Sequence, residues 1–271
     1  MSEFIYAMFS SFVGSKKYWI KELQKYKDES FVEPFCGSAV LSFNLAKDCV
    51  LNDIDSKLIT IIKYFDKQIV EEPFTPEKYF KARKEEEWWK YAYCLQHMSF
   101  SGVFRYGKNG YNVPIKKGIK EIKEINVYSK YIINLERWKK IKKKIFNKQY
   151  HELKKELFID KVVILDPPYQ NSQASYNSTL FNYQEYWKWV EEIKKISKVV
   201  IFFDTDENLI KQNIPIYKTR KMRINGKYKG AVEAMSIYEN KKWLEREEEI
   251  KEEISYPLLE QIAEMEKLNG C

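Results

Sequence analysis

Histidine is almost missing from this sequence, with two residues in 271, and cysteine is scarce, with four. Cys36, Cys49, Cys94 and Cys271 form no Cys-x-x-Cys pair and no compact framework, which argues against disulfides. Cys94 and His97 have half the spacing of a zinc site, but no second half follows, so no metal is expected. Long apolar runs are absent as well. No segment approaches the roughly 20 apolar residues a membrane helix needs, so no membrane partner is expected. Met1–Phe12 lacks the basic start and long apolar stretch of a signal peptide. The expected location is therefore cytoplasmic, or the compartment that holds the substrate. There is no internal repeat and no low-complexity linker.

What remains is core and charge. Hydrophobic residues make up 44% and aromatics 16%, enough for one sizeable α/β domain with an insertion, or for two small domains. Charged residues reach 32%, which again argues against a membrane protein, and the net charge is +8. A basic balance favours a polyanionic partner, because neutralised phosphates release counterions. The charge is uneven. Lys116–Lys155 is dense in lysine and Glu245–Glu253 is acidic, so the two stretches cannot share one electrostatic role.

Along the chain, Ser30–Phe35 reads as a buried strand feeding a turn at Cys36-Gly37-Ser38. Ala39–Ala46 reads as a helix, Cys49–Asp53 as a second strand, and Leu58–Val70 as an apolar-periodic helix. This is the opening of a doubly wound sheet. Pro73 and Pro76 punctuate a change of character that lasts to about Glu156. Glu85–Tyr93 looks helical. Ser99–Gly118, with four glycines and Pro114, reads as a loop or hairpin, and Leu135–Leu157 as a Lys-rich helix. The sheet pattern returns at Lys161–Leu165 and Val199–Phe203, with a helix at Tyr183–Ile196 between them. Their unbroken apolar runs suit strands covered on both faces. Tyr217–Ile224 and Ala231–Tyr238 fit a closing antiparallel pair around Asn225-Gly226. Trp243–Leu268 reads as a tail helix interrupted by Pro257.

Asp166-Pro167-Pro168-Tyr169 follows the strand Lys161–Leu165 directly, at the carboxyl end where open α/β sheets bind ligands. These residue types suit transfer to an exocyclic amine. Such an amine is a poor nucleophile, because its lone pair is conjugated with the ring. The Asp166 carboxylate can accept one amine hydrogen and the Pro167 carbonyl the other, which frees the lone pair. The Pro-Pro pair stiffens the turn that aims this carbonyl. Tyr169 can stack on a flat base. With an already activated methyl group no strong base is needed, and positioning carries much of the catalysis.

With that motif in place, the sequence resembles the Dam-like adenine DNA methyltransferases, in which the cofactor motif precedes the catalytic one. Four further segments match in order. Phe12-Val13-Gly14-Ser15-Lys16 resembles the family's aromatic-x-Gly-Gly-Lys segment against the cofactor, with Ser15 replacing the second Gly. Glu33-Pro34-Phe35-Cys36-Gly37-Ser38-Ala39 resembles its Glu-Pro-Phe-x-Gly-x-Gly loop, with Ala39 where a second Gly is common. In Asn52-Asp53-Ile54-Asp55, Asp53 stands where an acidic residue reaches the ribose hydroxyls, and Asp55 is the reserve. Either Asp can instead cap the helix that starts near Lys57. Phe104-Arg105-Tyr106-Gly107-Lys108-Asn109-Gly110-Tyr111-Asn112-Val113-Pro114 is similar to the family's DNA-recognition stretch, with Gly107 in place of its first Asn.

The resemblance implies a Rossmann-like α/β methyltransferase sheet with an inserted, mostly helical DNA-recognition domain. Residues 1–72 and 157–241 would form the catalytic domain, 73–156 the insertion and 242–271 a helical tail. It implies S-adenosylmethionine as cofactor, held by Phe12, Lys16, Phe35, Gly37, Asp53 and Asp166. Asp166, Pro167 and Tyr169 would act on N6 of an adenine flipped out of double-stranded DNA. Arg105, Tyr106, Lys108, Asn109 and Asn112 would contact the DNA, and Asn171–Asn182 would order over the flipped base. A restriction endonuclease reading the same site is a further expected partner. Methylation of cytosine N4 or of RNA, and a silent DNA-binding protein on the same fold, are the alternatives.

Overall fold

Side chains alternate across a strand, so a strand apolar at every position must be covered twice. The computed structural model describes residues 5–9, 12, 14–71, 73–102, 105–107, 110–118, 125–169, 181–224, 227–243 and 245. In chain order the first strands are β1 (Ser30–Glu33), β2 (Asp48–Asn52), β3 (Tyr106–Gly107), β4 (Gly110–Tyr111) and β5 (Lys142–Phe146). They are followed by β6 (Val162–Leu165), β7 (Val199–Thr205), β8 (Lys218–Ile224) and β9 (Lys227–Glu239). The helices are α1 (Val40–Leu45), α2 (Ser56–Lys63), α3 (Pro76–Ala82), α4 (Ala92–Met98), α5 (Ile125–Lys140), α6 (Tyr183–Ile196) and α7 (Asp206–Lys211). One seven-stranded sheet runs β5-β2-β1-β6-β7-β9-β8. Its first five strands are parallel, and β9 and β8 close it antiparallel.

The alternation divides the core between two faces. Phe31, Leu51, Val162, Ile164, Val199, Ile201 and Phe203 pack on one side, where α1 to α5 contribute. Val32, Val50, Val163, Leu165, Val200 and Phe202 pack on the other, against α6 and Leu209 of α7. In α6 the buried residues Tyr186, Trp189, Val190 and Ile193 recur at helical spacing, and the Asn182 side chain caps the first turn. Each such apolar side chain contributes about 1.5–3 kcal/mol on burial. The strand order reverses between β1 and β6. The crevice at that switch point, outside the carboxyl ends of the strands, is where ligands bind in such sheets.

Three element readings need correction. The apolar helix expected over Leu58–Val70 ends at Lys63, and a short 3-10 turn, Phe65–Lys67, follows. The helix expected over Glu85–Tyr93 is a 3-10 turn at Trp88–Tyr91 that leads into α4. The helix expected over Leu135–Leu157 stops at Lys140, and Lys142–Phe146 is a strand of the main sheet, paired in parallel with β2. Three consecutive lysines hide this strand in the sequence. As an edge strand it is only partly covered, so its apolar signal shrinks to Ile145 and Phe146. The expected tail helix beyond Trp243 and the segment 170–180 lie outside the described residues.

The hairpin β3–β4 is seated by a glycine that cannot be replaced. Gly110 has φ +85°, and a Cβ there would lie 2.5 Å from the Arg83 carbonyl oxygen. Gly110→Ala is therefore expected to cost about 2 kcal/mol or more, from left-handed strain plus a backbone clash. Gly118 also has positive φ, +78°, but a Cβ would meet nothing within 4 Å, so Gly118→Ala carries the strain alone. Thermal unfolding of the two variants checks the difference. Equal losses would mean that Arg83 gives way.

Candidate active site

Three neighbouring parallel strands, β2, β1 and β6, deliver their carboxyl-end loops to one place. Glu33 ends β1, and the loop after it is locked from below. The Cys36 N–H donates to the Asn52 carbonyl at 2.8 Å, and the Asn52 amide donates to the Pro34 carbonyl at 2.9 Å. Asp53, just past β2, accepts from the Gly37 N–H at 3.0 Å and from the Asp55 N–H at 3.0 Å. Asp55 is the helix cap, accepting from the Lys57 and Leu58 N–H groups. Asp55 thus takes the capping role, and Asp53 holds the glycine loop in place.

Gly37 has φ +46°, and a Cβ on it would meet the Phe12 ring at 3.4 Å. Ala39 is also left-handed, at φ 50°. That conformation costs a non-glycine residue about 1–2 kcal/mol, which explains why glycine suits this position. A small, partly open cleft lies between this loop and the N-terminal segment. Phe12, Gly14 and Lys16 line one wall, Glu33, Gly37 and Ser38 another, and Ile164 and Asp166 lie among the other lining residues. Phe35 does not join them. It packs on the opposite core, against Tyr150, Phe181 and Tyr186. Asp53 sits behind Gly37 and does not line the cavity.

Lys16 is the electrostatic centre. Its ammonium lies 2.7 Å from Asp166 Oδ2 and 3.3 Å from Glu233 Oε1, and donates to the Gly14 carbonyl at 2.7 Å. Burial works against this charge, but the two carboxylates outweigh it and hold the pKa above the ordinary lysine value. Asp166 is raised to about 6, because burial outweighs the help of Lys16. Burial likewise raises Glu33 to about 7, against the opposing bond from the Ser42 N–H at 2.8 Å. The Tyr169 hydroxyl donates to Glu233 Oε1 at 3.1 Å, and Lys16 Nζ lies 5.5 Å from the Tyr169 ring centroid. The Tyr183 hydroxyl donates to the Pro168 carbonyl at 2.7 Å. Among the described residues, none donates to the Pro167 carbonyl.

A family model for the D12 class N6 adenine-specific DNA methyltransferases matches residues 12–223. The chain belongs to this family. Among curated proteins, none matches it. Several solved structures are loosely similar, two of them as follows. A conserved hypothetical protein from Streptococcus pyogenes has 10% identity and a TM-score of 0.40, over 83% of this chain and 96% of that one. A dimethyladenosine transferase from Plasmodium falciparum has 14% identity and a TM-score of 0.34, over 80% and 58%. The family assignment rests on the sequence match, not on these likenesses.

The methyltransferase has the expected Rossmann-like sheet, and S-adenosylmethionine is its methyl donor. The chemistry of the lining suits such a molecule. The close approach of Gly37 to Phe12 leaves a slot that a side chain would fill, and acidic groups at its walls suit a cationic ligand. Among the described residues no group of His, Cys, Asp and Glu is placed to hold a metal, and no helix is long and apolar enough to cross a membrane. Cys94 and His97, the half-site spacing, turn to the Ile69 and Tyr93 carbonyls.

The residues expected to meet DNA are partly in view. Arg105 is exposed, and its Nε donates to Asn112 Oδ1 at 3.0 Å across the hairpin. The Tyr106 hydroxyl donates to Asp55, and its ring lies 5.4 Å from Trp88. The structure therefore ties the hairpin to the end of β2, beside the loop that carries Gly37. Lys108 and Asn109 lie outside the described residues.

Sequence reasoning missed Glu233. It is 5% exposed and accepts from the Trp19 indole at 2.9 Å as well as from Tyr169. The one available signal is a lone acid inside the apolar run of β9. Asp204 was missed in the same way. It accepts from the Asn208 amide at 2.8 Å, and burial raises its pKa to about 6.

Proposed function

We propose that this protein is a site-specific, Dam-like DNA methyltransferase. It moves a methyl group from S-adenosylmethionine to N6 of an adenine turned out of duplex DNA. The arrangement of Asp166 and Pro167 carries this reading. Lys16 binds Asp166 Oδ2, and Oδ1 is the acceptor proposed for one amine hydrogen. The Pro167 carbonyl takes the other, while Tyr183 holds the neighbouring Pro168 carbonyl out of competition. Both acceptors draw the amine away from conjugation and free its lone pair. The Tyr169 ring, fixed through its hydroxyl by Glu233, stacks on the base.

Bound S-adenosylmethionine supplies a methyl already activated on a sulfonium. The adenine nitrogen gains that methyl and then releases one proton, to Asp166 Oδ1 or to solvent. A carboxyl near pKa 6 suits this duty, being ionised at neutral pH yet a stronger acceptor than a free aspartate. Lys16, held above its ordinary pKa, stays charged throughout. In this proposal the DNA-recognition insertion expected over residues 73–156 is shortened to the part before β5, which belongs to the main sheet, with Arg105, Lys108, Asn109 and Asn112 toward the duplex. A restriction endonuclease reading the same site is the proposed companion.

Methylation-site sequencing of genomic DNA from a methylation-free host that expresses the protein tests the reading. The expected result is N6-methyladenine in one short motif. Unmodified DNA, from a protein that still binds S-adenosylmethionine, would overturn it in favour of RNA or a silent DNA-binding role. Methylated cytosine would reassign the amine.

A further inference from the structure

We infer that the hairpin β8–β9 is a second DNA-contacting arm, which grips the phosphate backbone on the side of the active site opposite the β3–β4 hairpin. The inference rests on duplex DNA being the substrate.

Charge is the first observation. Between Glu207 and Glu233 there is no acidic residue, yet the segment carries Lys211, Lys218, Arg220, Lys221, Arg223, Lys227 and Lys229. Six of these fall on the two strands. Lysine on an edge strand commonly serves only to block edge-to-edge pairing, and the other edge, β5, has Lys142, Lys143 and Lys144. The two edges differ in reach. β5 ends level with β2, Phe146 opposite Asn52. β9 pairs with β7 only from Glu233 onward, opposite Thr205, whereas Lys227–Val232 pairs with β8 alone. Because β9 runs antiparallel to β7, those six residues extend past the carboxyl edge of the sheet, by about 20 Å at strand rise. That is the edge that carries Asp166.

Position is the second observation. The arm leaves the sheet at Glu233, which itself bonds Tyr169 and pairs with Lys16. At its base Arg220 stacks on the Tyr18 ring at 3.7 Å, and Tyr18 and Lys17 are exposed beside it. On the far side of Asp166, the β3–β4 hairpin is tied through Tyr106 to Asp55 at the end of β2. Strand order puts β2 and β9 four spacings apart with β6 midway, about 19 Å in all. A duplex laid across this edge meets one hairpin on each side of the base it surrenders. The arm, with cations and no acid, grips phosphates rather than reading bases.

The test compares wild type with the combined variant Lys221→Gln, Arg223→Gln, Lys227→Gln and Lys229→Gln. A second variant, Lys221→Arg, Lys227→Arg and Lys229→Arg, keeps the charge. Duplex affinity is measured across a salt series, S-adenosylmethionine binding by calorimetry, and oligomeric state by gel filtration. The Gln variant is expected to lose at least tenfold in duplex affinity near 0.1 M salt. Its log K against log salt slope should shrink by about 0.9 for each phosphate it no longer neutralises. Donor binding should stay at the wild-type value, and the Arg variant should bind DNA like wild type. A Gln variant with wild-type affinity and slope overturns the arm. So does one that merely self-associates, which would make the lysines edge protection. Wild-type protein that binds duplex RNA and not duplex DNA would overturn the proposed substrate instead.

Discussion

Asp166→Ala is expected to lower methyl transfer about 10²–10³-fold, the scale seen when one preorganised polar partner of a transition state is removed. The fold should survive the change. Lys16 keeps Glu233 and the Gly14 carbonyl as partners, so its buried ammonium is not stranded. Asp166→Asn is the sharper variant, because it keeps the shape and places an amide donor where an acceptor is needed. Both should still bind S-adenosylmethionine, through the remaining walls of the cavity. The pH dependence gives an independent reading. Asp166 accepts only as a carboxylate, and its pKa is raised to about 6. The wild-type kcat/KM should thus be flat above that value and fall about tenfold per pH unit below it. Single-turnover methylation across pH 5 to 8 measures both effects. Near-normal turnover by a folded Asp166→Ala protein removes this residue from the chemistry.

Glu233→Ala should be the most damaging change outside the reacting groups. Three buried donors, Lys16 Nζ, the Trp19 indole and the Tyr169 hydroxyl, lose their common acceptor. Lys16 keeps Asp166, so the cost falls on the Trp19 and Tyr169 donors, at about 1–3 kcal/mol for each buried donor left unsatisfied. Glu233→Gln is milder and more informative, since its amide oxygen can still accept but the charge is gone. Glu233 is one of the groups that raise Asp166, so removing its charge should lower the Asp166 pKa. The acid limb of kcat/KM should then move below its wild-type position. A purely structural residue would change stability without moving that limb. An unshifted limb together with wild-type stability would show that Glu233 positions nothing.

Much of the fold is legible locally, because each strand's burial is written in its own residues. Val162–Leu165 and Val199–Phe203 are apolar throughout, and both lie in inner strands covered on two faces. Tyr183–Ile196 is amphipathic with a capping Asn182, and the helix has those ends. The failures share one cause. Where an element is half-covered or packed among aromatics, the apolar period weakens. So β5 looked like a lysine helix, and the turn at Trp88–Tyr91 looked like part of one.

The candidate active site divides along the same line. The sequence alone determined its loops, because Glu33-Pro34-Phe35-Cys36-Gly37 and Asp166-Pro167-Pro168-Tyr169 are continuous and end buried strands. Tertiary structure alone decided what surrounds Asp166. Lys16 and Glu233 lie 217 positions apart in the numbering. They meet because the N-terminal segment folds over the sheet and β9 inserts antiparallel beside β7. Strand order is fixed by packing across the whole core, and no local pattern encodes it. The same insertion carries the basic hairpin past the catalytic edge, which is why a lysine-rich stretch reads as mere charge until β9 is paired with β7.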